Sequence, residues 1–201
     1  MTTRIPMLNR ALLRIGADPL VTEADPGAPV HLAVYDSVLE KFASHPFSFF
    51  KTTQKLPRLV ASPVALWTYA FQLPADRLAP PRAVYPSADT SRLNTTAYDI
   101  VDDQLLSDHT DIWITIMRLV GYERWPGDFR EAFTTALMAE LALSVREDRV
   151  LHDRLYQKAF GTPAQGGMGG LFGQALDNDS QGIPSESVGN GANPLIDARF
   201  G

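Results

Sequence analysis

The sequence predicts a mainly α protein with a small β insertion (α+β): an antiparallel helical bundle, a short-stranded β region between its halves, and an extended C-terminal arm. Apolar residues repeat at helical spacing before residue 46 and again after residue 121, and they alternate with polar ones in between. Beyond Gly161 the composition turns abruptly to Gly, Ser, Asn and Asp. Residues 1–46 and 121–165 are thus expected to form the bundle, 47–120 the β-rich insertion, and 166–201 a Gly-rich linker and C-terminal arm.

Leu8, Leu12 and Ile15 fall on one face of a first helix, with Pro6 suited to its first turn and Gly16 to the left-handed residue that ends it. Asp25-Pro26 reads as an N-cap followed by proline, opening a second helix whose stripe is Tyr35, Val38, Leu39 and Phe42. That helix must stop near Ser44 or His45, because Pro46 disfavours helical geometry in the residue before it. Phe47, Phe49 and Phe50 then enter an extended aromatic segment.

Trp67, Tyr69, Phe71 and Leu73 alternate with Thr68, Ala70 and Gln72, the pattern of a half-buried strand. Pro74, Pro80, Pro81 and Pro86 keep the strands that follow short or at edges. Segments 98–101 and 104–106 bracket Asp102-Asp103, a two-residue hairpin turn without glycine. Ile112, Ile114 and Ile116 alternate with Trp113, Thr115 and Met117 as another strand, a helix over 112–120 being the alternative. Pro126 opens a helix that presents Phe129, Phe133, Ala136, Leu137 and Leu141, and a last helix carries Leu151, Leu155 and Ala159 with Gly161 as its cap.

The remainder is too polar and glycine-rich to order itself alone. It reads either as a tail without a role or as a tether whose end, Leu195, Ile196 and Phe200 around Asp197 and Arg199, folds onto a partner.

A chain of 201 residues with 45% hydrophobic content can bury roughly 70% of its unfolded surface, enough for one domain with an insertion. Cysteine is absent, so disulfides and thiolate metal sites are excluded, and a cytoplasmic origin fits. Neither a secretory leader nor a run of ~20 apolar residues is found, so a soluble protein is expected. A net charge of −5 argues against binding that neutralises nucleic-acid phosphates, while leaving open the transient passage of DNA past an acidic wall.

Motifs of the forms G-x-S-x-G, G-x-x-x-x-G-K and H-E-x-x-H are missing, and the glycine cluster at 166–170 lacks the strand and lysine of a phosphate cradle. His31, His45, His109 and His152 are scattered; His109 beside Asp108 and Asp111 could pair around a divalent ion, although a solvated acidic loop is the commoner meaning. Asp99, Asp102, Asp103, Asp108 and Asp111 cluster in sequence and could in principle supply the carboxylate pair of a glycosidase, ~5 to 9 Å apart. An acidic hairpin rim is preferred, because nothing in the sequence holds a carboxyl in an apolar pocket. Arg10 and Arg14 share a face of the first helix, either solvated or in contact with another subunit. No catalytic residue, metal or cofactor is expected.

Several blocks, in order along the chain, resemble the tail tubular protein A or head-to-tail adaptor family of short-tailed bacteriophages. The family's opening is similar to Leu8-Asn9-Arg10-Ala11-Leu12-Leu13-Arg14-Ile15-Gly16, and its aromatic helix end to His45-Pro46-Phe47-Ser48-Phe49. Its strand and turn signature resembles the segment from Tyr69 to Leu78, its hairpin the segments from Tyr98 and Gln104, its third helix Trp125-Pro126-Gly127-Asp128-Phe129 through Ala142, and its terminus Ala198-Arg199. The proline-rich stretch 79–86 and the glycine cluster 166–170 have no counterpart in that pattern.

The resemblance implies a structural virion protein without enzymatic activity, assembled in the host cytoplasm and placed at the head-to-tail interface. It would form a ring, expected to be dodecameric, between the portal protein and the tail tube or nozzle protein, with DNA passing through without sequence-specific binding and no membrane involved. Leu195, Ile196, Asp197, Arg199 and Phe200 would form the portal-contact arm. The acids Asp99, Asp102, Asp103 and Asp108 would repel phosphates if they faced the channel, or pair with basic neighbours if they faced outward. Two other readings remain: a carbohydrate-degrading tail enzyme using paired Asp residues, and a monomeric helical protein-binding module.

Overall fold

The computed structural model describes residues 4–59, 64, 66–89 and 95–182. Helix α1 (Arg4–Ile15) buries Met7, Leu8, Ala11, Leu12 and Ile15. It ends as its sequence predicts: Gly16 takes φ +73°, and the Gly16 and Ala17 amides donate back to the Leu13 and Leu12 carbonyls at 3.2 and 2.9 Å. The Arg146 guanidinium donates to the Ile15 carbonyl and covers the helix's negative end.

Helix α2 (Ala28–Ala43) starts later than Asp25-Pro26 suggests. The Asp25 carboxylate turns back to accept the Val21 amide at 2.6 Å and the Thr22 amide and hydroxyl at 3.2 and 3.0 Å. These bonds hold its carboxyl below the usual range and leave it nothing for the helix. Gly27 therefore occupies the cap, and the proline of the first turn is Pro29.

Helix α3 (Gly127–Ser144) is the central element, packed against α1, α2, α4 (Arg149–Phe160) and α5 (Gly170–Gln181). Its buried residues, from Phe129 through Ala142, include Thr134 and Thr135, as expected of a helix surrounded by others. Burying the Thr134 hydroxyl is tolerated because it donates to the Arg130 carbonyl at 2.7 Å. Phe42 from α2 is the hub of the core. Its ring meets Phe129 and Phe133 of α3, Phe160 of α4 and Phe172 of α5 with centroids 5.3, 5.4, 5.8 and 4.8 Å away.

Helix α5 lies inside the stretch expected to be a linker. Its composition is too polar to order itself alone, but it docks on a core that already exists, inserting Phe172 and Ala175. The glycine cluster is a tight corner that makes this docking possible. A Cβ on Gly170, at φ +59°, would lie 2.5 Å from the Lys158 carbonyl oxygen and 2.8 Å from that of Ala159. Asp179 pins the far end of α5 by accepting the Ser48 amide at 2.7 Å and hydroxyl at 2.5 Å.

Among the described residues between α2 and α3 run six short strands in two antiparallel three-stranded sheets. One has the order β1 (Lys51–Lys55), β6 (Trp113–Met117), β3 (Ala83–Tyr85), and the other β2 (Tyr69–Gln72), β5 (Gln104–Ser107), β4 (Asp99–Val101). The β4–β5 hairpin turns at Asp102-Asp103 as expected, Asp102 adopting φ +53° in place of a glycine. Strand rather than helix prevails around Ile114 because β6 is paired on both sides, Ile114 opposing Gln54 of β1 and Val84 of β3. Ile112, Ile114 and Ile116 join Leu56, Phe71, Leu73, Val84 and Leu105 in a second, smaller core.

Two local expectations are corrected. Ser48–Phe50 is a single 3₁₀ turn rather than extended chain, because Phe47 and Phe50 must both reach the helical core before the chain leaves for β1. Strand β2 is covered on both faces where Ala70 and Phe71 are each fully buried, so it is not half-buried there.

Candidate functional site

The acids expected to form one rim are divided between the two ends of the β4–β5 hairpin. Asp102 and Asp103 make its turn; Asp99 and Asp108 lie at the opposite end, about 10 Å away over three residues of strand. Each carboxylate of known contacts is engaged locally. Asp103 pairs with Arg77 at 2.7 Å, Asp111 with Lys55 at 2.7 Å, and Asp99 accepts the Ile100 amide at 2.8 Å.

Asp108 accepts the Thr68 hydroxyl and amide at 2.9 and 3.0 Å. The side-chain bond chiefly, then the backbone bond, holds its carboxyl below the ordinary range. A glycosidase's general acid needs the opposite shift. His109 is exposed beside it, and among the described residues no group of three His, Asp or Glu side chains could hold a metal ion.

The structure also finds a partner for Arg10 and Arg14 within the chain. Both reach Glu131 of α3, at 3.5 and 2.9 Å, tying α1 to the central helix while remaining partly exposed. The proposed arm residues Leu195, Ile196, Asp197, Arg199 and Phe200 lie outside the described residues.

Two surface features escape the sequence pattern. One is the outward side of α2, where Pro29, Val30, Ala33, Val34 and Ser37, with Glu140 of α3, line an open groove of about 520 Å³. Val30 is 54% exposed there, although α2 already buries Tyr35, Val38 and Phe42 on its inner side. The nearly unbroken apolar run from Ala28 to Val34 is the signal for it, masked by the inner stripe, which alone accounts for a helix. The other is a recess beside Lys41, His45 and Tyr156, where α2, α4 and the glycine corner meet. It is invisible in sequence because its walls come from segments more than 100 residues apart.

No family model matches this chain, and no curated protein is significantly similar to it. No helix among the described residues is long and apolar enough to cross a membrane.

Proposed function

We propose that this chain is a structural virion protein, a head-to-tail adaptor that forms a ring between the portal and the tail tube or nozzle of a short-tailed phage. The observation that carries this reading furthest, beside the ordered blocks of sequence resemblance, is the apolar groove along the outside of α2. A helix that is apolar on both its inner and outer sides suits burial on both, the second time against another protein. In a ring, that contact repeats with one surface meeting a different surface of the next subunit until rotation closes it.

The two small sheets form a separate cluster that can face a different neighbour, and the net charge of −5 suits a channel past which DNA slides without sticking. The arm at 195–200 is assigned to the portal.

The test combines purified cognate portal with the full-length protein and with a Val30→Asp, Ala33→Asp variant. Negative-stain imaging and mass measurement should show portals crowned by rings with the native chain. The variant, monomeric and with an unchanged melting curve, should leave them bare. Rings formed equally by the variant would remove the α2 groove from the interface; a native protein that ignores portal would overturn the adaptor reading. A chain ending at Gly182 should fold but lose portal binding. Truncation must not start earlier, because Asp179 is a structural contact.

A further inference from the structure

We propose that the recess between the C-terminal end of α2, helix α4 and the glycine corner is a binding site for a carboxylate carried on an apolar chain. It encloses about 550 Å³, and Lys41, His45, Tyr156, Pro163, Gly167 and Met168 are among its walls. The Lys41 ammonium lies 3.6 Å from the centroid of the Phe160 ring and 4.9 Å from that of Tyr156. Ring faces hold a cation in place but do not neutralise it. Among the described residues Lys41 has no carboxylate partner; its hydrogen bond goes to the Tyr156 oxygen at 2.9 Å.

That bond uses one of three ammonium protons and leaves the Tyr156 hydroxyl its own proton to donate. His45 is fixed by its Nδ1, 3.0 Å from the Lys41 carbonyl and 3.1 Å from the Ser44 hydroxyl, with its ring edge-on to Phe172 at 4.7 Å. Asp153 is the carboxylate among the lining residues; its Oδ1 lies 3.0 Å from His152 Nδ1, and it makes no ion pair with Lys41 among the described residues. The recess therefore presents an ammonium without a carboxylate partner beside a phenol proton, and the complementary group is an anion with two acceptor oxygens. Met168, Pro163 and the Cβ-free wall at Gly166 and Gly167 give the apolar remainder of such a ligand its contact.

The site is tested on the full chain carrying ¹³C-methyl methionine, with Met168 followed during titration with hexanoate and with its neutral isostere hexanamide. Hexanoate should shift the Met168 signal saturably and hexanamide should not. Lys41→Met, which keeps the alkyl chain on the rings, should weaken hexanoate by about 10-fold or more. Tyr156→Phe keeps the ring, removes one donor, and should weaken it by about 3-fold, so the inference does not depend on one variant folding. A blocked Leu-Glu-Leu peptide binding tighter than hexanoate assigns the carboxylate to a protein segment, and the reverse order assigns it to a free acid; both support the site. Equal response to hexanamide, indifference to Lys41→Met, or no saturable shift with any of the three overturns it.

Discussion

Replacing Phe172 by alanine should remove about 4 kcal/mol of stability. The side chain is 1% exposed, and its ring meets Phe42, His45, Phe47 and Phe160 with centroids 4.8, 4.7, 5.9 and 5.7 Å away. Truncating a buried phenylalanine costs about 3–5 kcal/mol through lost transfer energy and the cavity left behind. Two effects then compete. Aromatic pairing pushes toward the upper end, whereas α5 lies at the border of the bundle and can settle into the void, which pushes toward the lower. For a chain of 201 residues, with about 2–4 °C lost per kcal/mol, the melting temperature should fall by about 10 °C. Urea unfolding of the full chain followed by circular dichroism gives the energy, and hydrogen exchange along 170–181 shows whether α5 is released first. A loss below about 1 kcal/mol with an unchanged slope would mean that α5 is not docked in solution and that 166–182 is a linker after all.

His31 is buried, its Nδ1 has no hydrogen-bond partner among the described residues, and desolvation lowers its pKa from 6.5. The fold favours the neutral ring, so the associated stability is present above pH 6.5 and is lost as pH falls through the lowered folded value. Unfolding midpoints measured between about pH 7 and about pH 5 should decline in the native chain and decline less in His31→Leu. Thr68→Val should move the Asp108 carboxyl up toward its ordinary value of 3.8, as read by carboxyl ¹³C titration; an unmoved titration would show that Thr68 is not its cause. Glu131→Ala should cost less than about 1 kcal/mol, because Arg10, Arg14 and Glu131 are all substantially exposed and screened. A larger loss would make that cluster a structural clamp between α1 and α3.

The amino-acid sequence alone specified the elements whose cause is local. The Gly16 turn, the stop before Pro46, the Asp102-Asp103 hairpin and the apolar faces of α1 and α3 follow from backbone chemistry and periodicity within a few residues. It also determined the α+β class, because the change from helical to alternating spacing is written along the chain. Tertiary structure decided whatever depended on a distant partner. Arg10 and Arg14 look free until α3 brings Glu131 to them. The glycine-rich stretch reads as tether until Phe172 finds the pocket between Phe42, Phe47 and Phe160. The physical reason is common to these cases: a capped turn is stabilised by neighbours in sequence, whereas a docked helix or an ion pair gains its energy from surfaces that exist only after the chain has folded.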